Sequence, residues 1–125
     1  MCAKRPSPRQ ELPISPEDCT LLSDAMMLLF EDMSFDFAAH GLDYDHADVA
    51  YELLRDSETA YTLLQIQAID VLVQQALARL SDPSFQMPEL EQMEPGLLPK
   101  LRSSVTRLSE LSKLLAGYAK PSKHK

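Results

Sequence analysis

A chain of 125 residues is long enough for one domain with a modest core, and its two cysteines, Cys2 and Cys19, make no disulfide framework. Three glycines and no alternating β-branched run exclude a sheet protein and point to an all-α fold. No apolar run of signal-peptide or membrane-spanning length is present, so the expectation is a soluble cytoplasmic protein without a membrane partner.

The net charge of −7 conceals a division. Residues 10–99 hold eighteen of the nineteen acids against Arg55 and Arg79 alone, a net of −16, whereas residues 1–9 carry +3 and residues 100–125 carry +6. Such a distribution keeps affinity for phosphates out of the globular part and concentrates it in the ends.

Residues 1–14 are proline-rich, poor in apolar side chains and basic through Lys4, Arg5 and Arg9, and they read as a disordered arm. Ser15-Pro16-Glu17-Asp18 then opens a first helix, with Ser15 as N-cap, Pro16 at the first helical position and Asp18 reaching back. Its core stripe is Leu21, Leu22, Ala25, Leu28 and Leu29, widened by Met26, Met27 and Phe30, and it ends near Met33. Phe35 to Leu42 reads as a short second helix closed by Gly41 in a left-handed C-cap. A third helix from about Asp45 to Leu54 follows the turn, with Ala47, Ala50, Tyr51 and Leu54 inward and Asp43 or Asp45 as its cap. Residues 15–56 therefore have the layout of a helix-turn-helix domain.

Residues 57–119 read as a helical hairpin. The stretch Asp56 to Asp82 has one seam at Ile66, Ile69, Val73, Ala76 and Leu80 and a second apolar run through Leu63, Leu64, Val71, Leu72 and Leu77. Asp56 or Ser57 is the expected cap, and Pro83 the stop. The four prolines of the segment 83–99 make it a connector, with Phe85, Met87, Leu90 and Met93 laid across the core. A last helix, about Gly96 to Ala119, repeats Leu101, Leu108 and Leu115 at intervals of seven and packs antiparallel on the first arm. One hairpin has more apolar surface than it covers, so Leu64, Ile66, Ile69, Val73, Leu77, Leu101, Leu108 and Leu115 are expected to hold several copies together. Residues 120–125 complete a basic tail.

Chemistry-bearing constellations are scarce. His40, Asp43, Asp45, His46 and Asp48 form a His/carboxylate cluster without metal-ligand spacing, better read as a polar turn. There is no phosphate-cradling glycine loop, no serine with a nearby His and acid, and Cys19 lies beside Glu17 and Asp18, which oppose a reactive thiolate. The expectation is a non-enzymatic binding protein with no cofactor and no metal.

The order of elements resembles the small terminase subunits of tailed bacteriophages: a basic arm, a helix-turn-helix, then Leu53-Leu54-Arg55-Asp56-Ser57-Glu58 leading into a long helical hairpin. The resemblance covers Glu17 to Ala119 as architecture and Phe37 to Ala60 as a motif. It implies an oligomeric ring that binds double-stranded viral DNA and regulates the large terminase subunit in the host cytoplasm. In this sequence the third helix turns Asp45, His46, Asp48 and Glu52 outward with Arg55 as its one base, so DNA contacts fall instead to Lys4, Arg5, Arg9, Lys100, Arg102, Arg107, Lys113, Lys120, Lys123 and Lys125. Two rival readings stand beside it. One is a small acidic interaction protein or nucleic-acid mimic, carried by the run Glu31 to Glu58, and the other a helical chaperone or adaptor that receives a partner helix.

Overall fold

A computed structural model describes residues 8–120 and is all-α apart from one small ribbon. The elements are β1 (Arg9–Glu11), α1 (Pro16–Phe30), a 3₁₀ turn (Ala38–His40), α2 (Tyr44–Arg55), β2 (Ala60–Thr62), α3 (Leu63–Leu80), α4 (Pro88–Met93), α5 (Leu97–Ser103) and α6 (Val105–Ala119). Helix α3 is the hub and packs on α1, α2 and α6. Gln67, near the start of α3, donates to the carbonyl of Ala119 at the end of α6, so these two helices run antiparallel.

The α1 start is as its sequence dictates: Ser15 Oγ accepts from the Asp18 N–H and Asp18 accepts from the Ser15 N–H, both at 3.1 Å. The helix stops at Phe30, short of Met33. Leu22, Ala25, Met26, Leu28 and Leu29 are fully buried, so Met26 is core filler.

Three expectations need correction. The arm is not free throughout residues 8–14. β1 pairs antiparallel with β2, Arg9 opposite Thr62 and Glu11 opposite Ala60, while Leu12 and Ile14 are buried in the core. Residues 1–7, with Lys4 and Arg5, lie outside the described residues.

That pairing also moves the start of the long helix. Ala60–Thr62 is extended, so α3 begins at Leu63, capped by Thr62 and closed by Gln65 in a capping box. Asp56 and Ser57, expected as its caps, instead terminate α2. The Ser57 N–H bonds to the Leu54 carbonyl and the Glu58 N–H to that of Leu53, a Schellman closure with Ser57 at φ 59°.

The second helix of the expected helix-turn-helix is only the turn Ala38–His40, although Gly41 does take the left-handed C-cap at φ 73°. Asp43 caps α2 by accepting from the Asp45 N–H at 3.1 Å, and Ala47, Ala50 and Leu54 face inward. In the connector, Leu90 is buried while Met93 is exposed and sits at the end of a short helix. The last helix breaks at Ser104, whose hydroxyl donates to the Lys100 carbonyl.

Candidate interaction surface

The bases expected to meet DNA divide into three groups. Lys123 and Lys125, like Lys4 and Arg5, lie outside the described residues. Lys100, Arg102 and Arg107 are engaged by the chain itself. Arg107 holds both oxygens of Asp18, at 3.0 and 2.8 Å, in a bidentate pair and reaches Glu110 at 3.0 Å. Lys100 pairs with Asp24 at 2.9 Å, and Arg102 donates to the Phe85 carbonyl at 2.6 Å, holding the connector. Each of those three side chains is thus engaged within the chain, with Lys100 and Arg107 still about half exposed. Arg9, Lys113 and Lys120 are exposed, and Lys113 and Lys120 line one groove with Gln10, Leu63, Leu114 and Tyr118.

α1 is thus a spine of acids gripped from three directions. Asp18 is held from α6, Asp24 from α5, and Asp32, just past its end, from α3 through Arg79 at 3.2 Å. Burial works against ionisation of Asp18, but the Arg107 guanidinium and the Ser15 N–H and hydroxyl outweigh it and hold the carboxyl below its usual range. Asp32 shows the same balance, burial being overcome by Ser34 and Arg79. Arg79 also stacks over the Phe35 ring, 5.6 Å from its centroid.

The apolar residues expected to join copies are mostly spent on the chain's own core. Ile66, Ile69, Val73, Leu101, Leu108 and Leu115 are fully buried and Leu77 is half-buried, because α1 and α2 cover the faces of α3 that α6 does not and α1 also packs on α5 and α6. Leu64 remains, 54% exposed. The expectation of a spare double-faced hairpin is corrected accordingly, since it counted only one partner for α3.

The surface of α2 and the loops on either side of it carry the exposed acids. Asp36, Asp45, Asp48, Glu52, Asp56 and Glu58 are exposed and have no ion-pair partner among the described residues. Asp43 is 3.5 Å from His46 Nδ1. Val49 and Tyr44 lie exposed on the same helix. Behind this surface Phe30, Phe35, Phe37, Tyr44 and Tyr51 pack edge to face or tilted, at centroid distances from 4.8 to 5.5 Å, which fixes the loop between α1 and α2.

Cys19 is buried and donates to the Glu58 carbonyl at 3.4 Å, an oxygen that also accepts from the Tyr61 hydroxyl at 2.6 Å. Burial and then the neighbouring Asp18 push the thiol up, and the bond makes Cys19 a structural tie between α1 and the segment joining α2 to β2. Among the described residues no group of three or more His, Cys, Asp or Glu is placed to hold a metal, and no helix is long and apolar enough to cross a membrane.

Sequence reasoning missed the clamps on α1 and also the groove between the end of α1 and the connector, walled by Met33, Phe85 and Met87 with Glu31 and Glu89. Apolar spacing in a proline-rich segment does not say which side chains reach the core, and the helix expected to run to Met33 stops at Phe30 and leaves Met33 outside it. Among known proteins, no family model, no curated protein and no solved structure matches this chain.

Proposed function

We propose that this chain is a non-catalytic interaction protein that presents the acidic face of α2 and its flanking loops to a basic partner. The observation that supports it is the segregation of charge: Arg79, Lys100 and Arg107 pair with acids on or just past α1 and Arg102 clamps the connector, while Asp45, Asp48 and Glu52 are exposed with no ion-pair partner among the described residues. An unneutralised field of one sign steers and selects an oppositely charged partner and repels phosphates.

The test separates that face from net charge. Binding of labelled poly-lysine is measured at near-physiological salt for the wild type, for Asp45→Lys/Asp48→Lys, and for a control with the same charge change at the exposed Glu17 and Glu91. The α2 reversal is expected to weaken binding well beyond the control. Equal weakening by the two variants would reduce the effect to net charge and refute the reading.

A DNA-packaging subunit of the small-terminase kind is the second reading, favoured by the exposed Lys113 and Lys120 sharing one groove. It requires a large closed oligomer and salt-sensitive DNA binding that is lost on removing residues 120–125. Light scattering and anisotropy with labelled duplex DNA decide it: a ring-sized mass with tail-dependent binding favours packaging, and a monomer without DNA affinity favours the acidic module.

A further inference from the structure

We infer that the groove between the end of α1 and the connector is a docking site for a basic peptide segment carrying a long apolar side chain, an inference that rests on the acidic-partner reading above. One wall is formed by Glu31 and Met33, the other by Phe85, Met87 and Glu89, with Asp32 in the lining. Its volume of about 680 Å³ lies in the range of clefts that bind small ligands and side chains.

The walls are held in place by polar contacts that do not involve the groove's own apolar atoms. Asp32 accepts from the Ser34 N–H at 2.9 Å and hydroxyl at 2.6 Å and is paired with Arg79, while Arg102 holds the Phe85 carbonyl from α5. With Asp32 and the Phe85 backbone fixed in this way, the ordering cost of binding falls mainly on exposed side chains such as Met33.

Two properties select the occupant. Met33 is 96% exposed beside the half-buried Phe85 and Met87, and an unbranched, polarisable thioether adapts to a long apolar side chain laid against it. Glu31 and Glu89 are exposed on the two walls and have no ion-pair partner among the described residues, so cations on either side of that apolar anchor are accommodated. Anionic segments are repelled. Residues 10–99 of a second copy are disfavoured for the same reason, because they carry only Arg55 and Arg79 as bases and Arg79 is already on Asp32.

The experiment uses the full chain with a short fluorescein-labelled peptide of alternating lysine and leucine, and an all-lysine peptide of equal charge as control. The mixed peptide is expected to bind more tightly than the control. Met33→Ser is expected to weaken it ~5–10-fold, since the burial of one such side chain is at stake. Glu31→Lys/Glu89→Lys should weaken both peptides. In methyl-labelled protein, the Met33 and Met87 signals should shift on titration while that of the fully buried Met26 stays in place. All three substituted side chains are exposed, and circular dichroism checks that the variants keep the fold.

Equal affinity for the two peptides, unchanged affinity of Met33→Ser, or a stationary Met33 signal would each overturn the docking site. If Asp45→Lys/Asp48→Lys abolishes binding while the groove variants retain it, the groove inference fails and the acidic-face reading stands. If the wild type binds no basic probe, the acidic-face reading itself fails.

Discussion

The α1 spine and the α2 face are built from the same residue types and do opposite things. On α1, Asp18 and Asp24 are largely buried and each has a base drawn from a helix far along the chain. On α2, Asp45, Asp48 and Glu52 are exposed with none among the described residues. A desolvated carboxylate must be matched within the fold, whereas a solvated one is available to a partner. Acid content therefore does not locate an interaction surface; the positions of the bases do.

The strongest way to break the packed region is to remove a side chain from beneath it. Leu108→Ala is expected to cost about 2–5 kcal/mol, because a fully buried leucine between α6 and α3 leaves a cavity. Val49→Ala, on the exposed α2 face, should stay within about 0.5 kcal/mol. Urea unfolding of both checks this. Light scattering of folded Leu108→Ala adds a second reading: an unchanged mass means that Leu108 serves the monomer core, and a mass that falls from a large assembly returns it to the oligomer interface.

A smaller effect sharpens the electrostatic contrast. Arg107→Ala leaves Asp18 without its bidentate partner and is expected to lower Tm, whereas Asp48→Lys should leave Tm nearly unchanged. pH supplies the sign. Asp18 and Asp32 have folded carboxyls below the ordinary value of 3.8, so the unfolded chain binds more protons between the two values. Their contribution is complete above the ordinary carboxylate range and is lost as pH falls through the depressed folded values. Arg107→Ala should therefore lose most stability at neutral pH, and the gap to wild type should narrow below pH ~4.

Much of this contrast was legible in the sequence, and the remainder has definite physical causes. The α1 capping box, the left-handed Gly41, the Asp43 cap and the antiparallel pairing of α3 with α6 follow from local residue chemistry and apolar spacing. The start of α3 does not. Ala60–Thr62 is extended because β1 pairs with it from about fifty residues away, and no helical propensity reports that. The clamps were invisible for the same reason, since Asp18 and Arg107 are 89 positions apart. Excess apolar surface on α3 was read correctly as needing cover, but the cover is α1 and α2.

The join between the two regions offers the next effect. Ser57 closes α2 at φ 59°, a position where a Cβ is strained. Ser57→Gly keeps both Schellman hydrogen bonds and is expected to stabilise the fold by up to about 1 kcal/mol, seen as a Tm rise of ~2–4 °C. Binding to basic probes should not change, because the adjacent carboxylates of Asp56 and Glu58 keep their places. A loss of stability would mean that Ser57 has a role beyond its backbone angle.

The smallest expected effect concerns the one acid of α3. Asp70 is half-buried and bonded only to the Gln74 amide, at 3.0 Å, so burial raises its carboxyl above the ordinary value of 3.8 while that bond lowers it less. It is the opposite of Asp18: a half-buried carboxylate with no ion-pair partner among the described residues. Between 3.8 and the raised value the folded chain binds more protons than the unfolded one, so stability falls as pH rises through that window and the cost is fully present above it. Asp70→Asn keeps the shape, removes the charge and should raise Tm slightly at neutral pH, with the advantage vanishing as pH falls towards 4. Because Arg107→Ala and Asp70→Asn move stability in opposite directions at neutral pH and both fade in acid, measuring them together separates an acid the fold has matched from one it has not. An advantage for Asp70→Asn that persists in acid would place its origin in packing and leave Asp70 outside the charge argument.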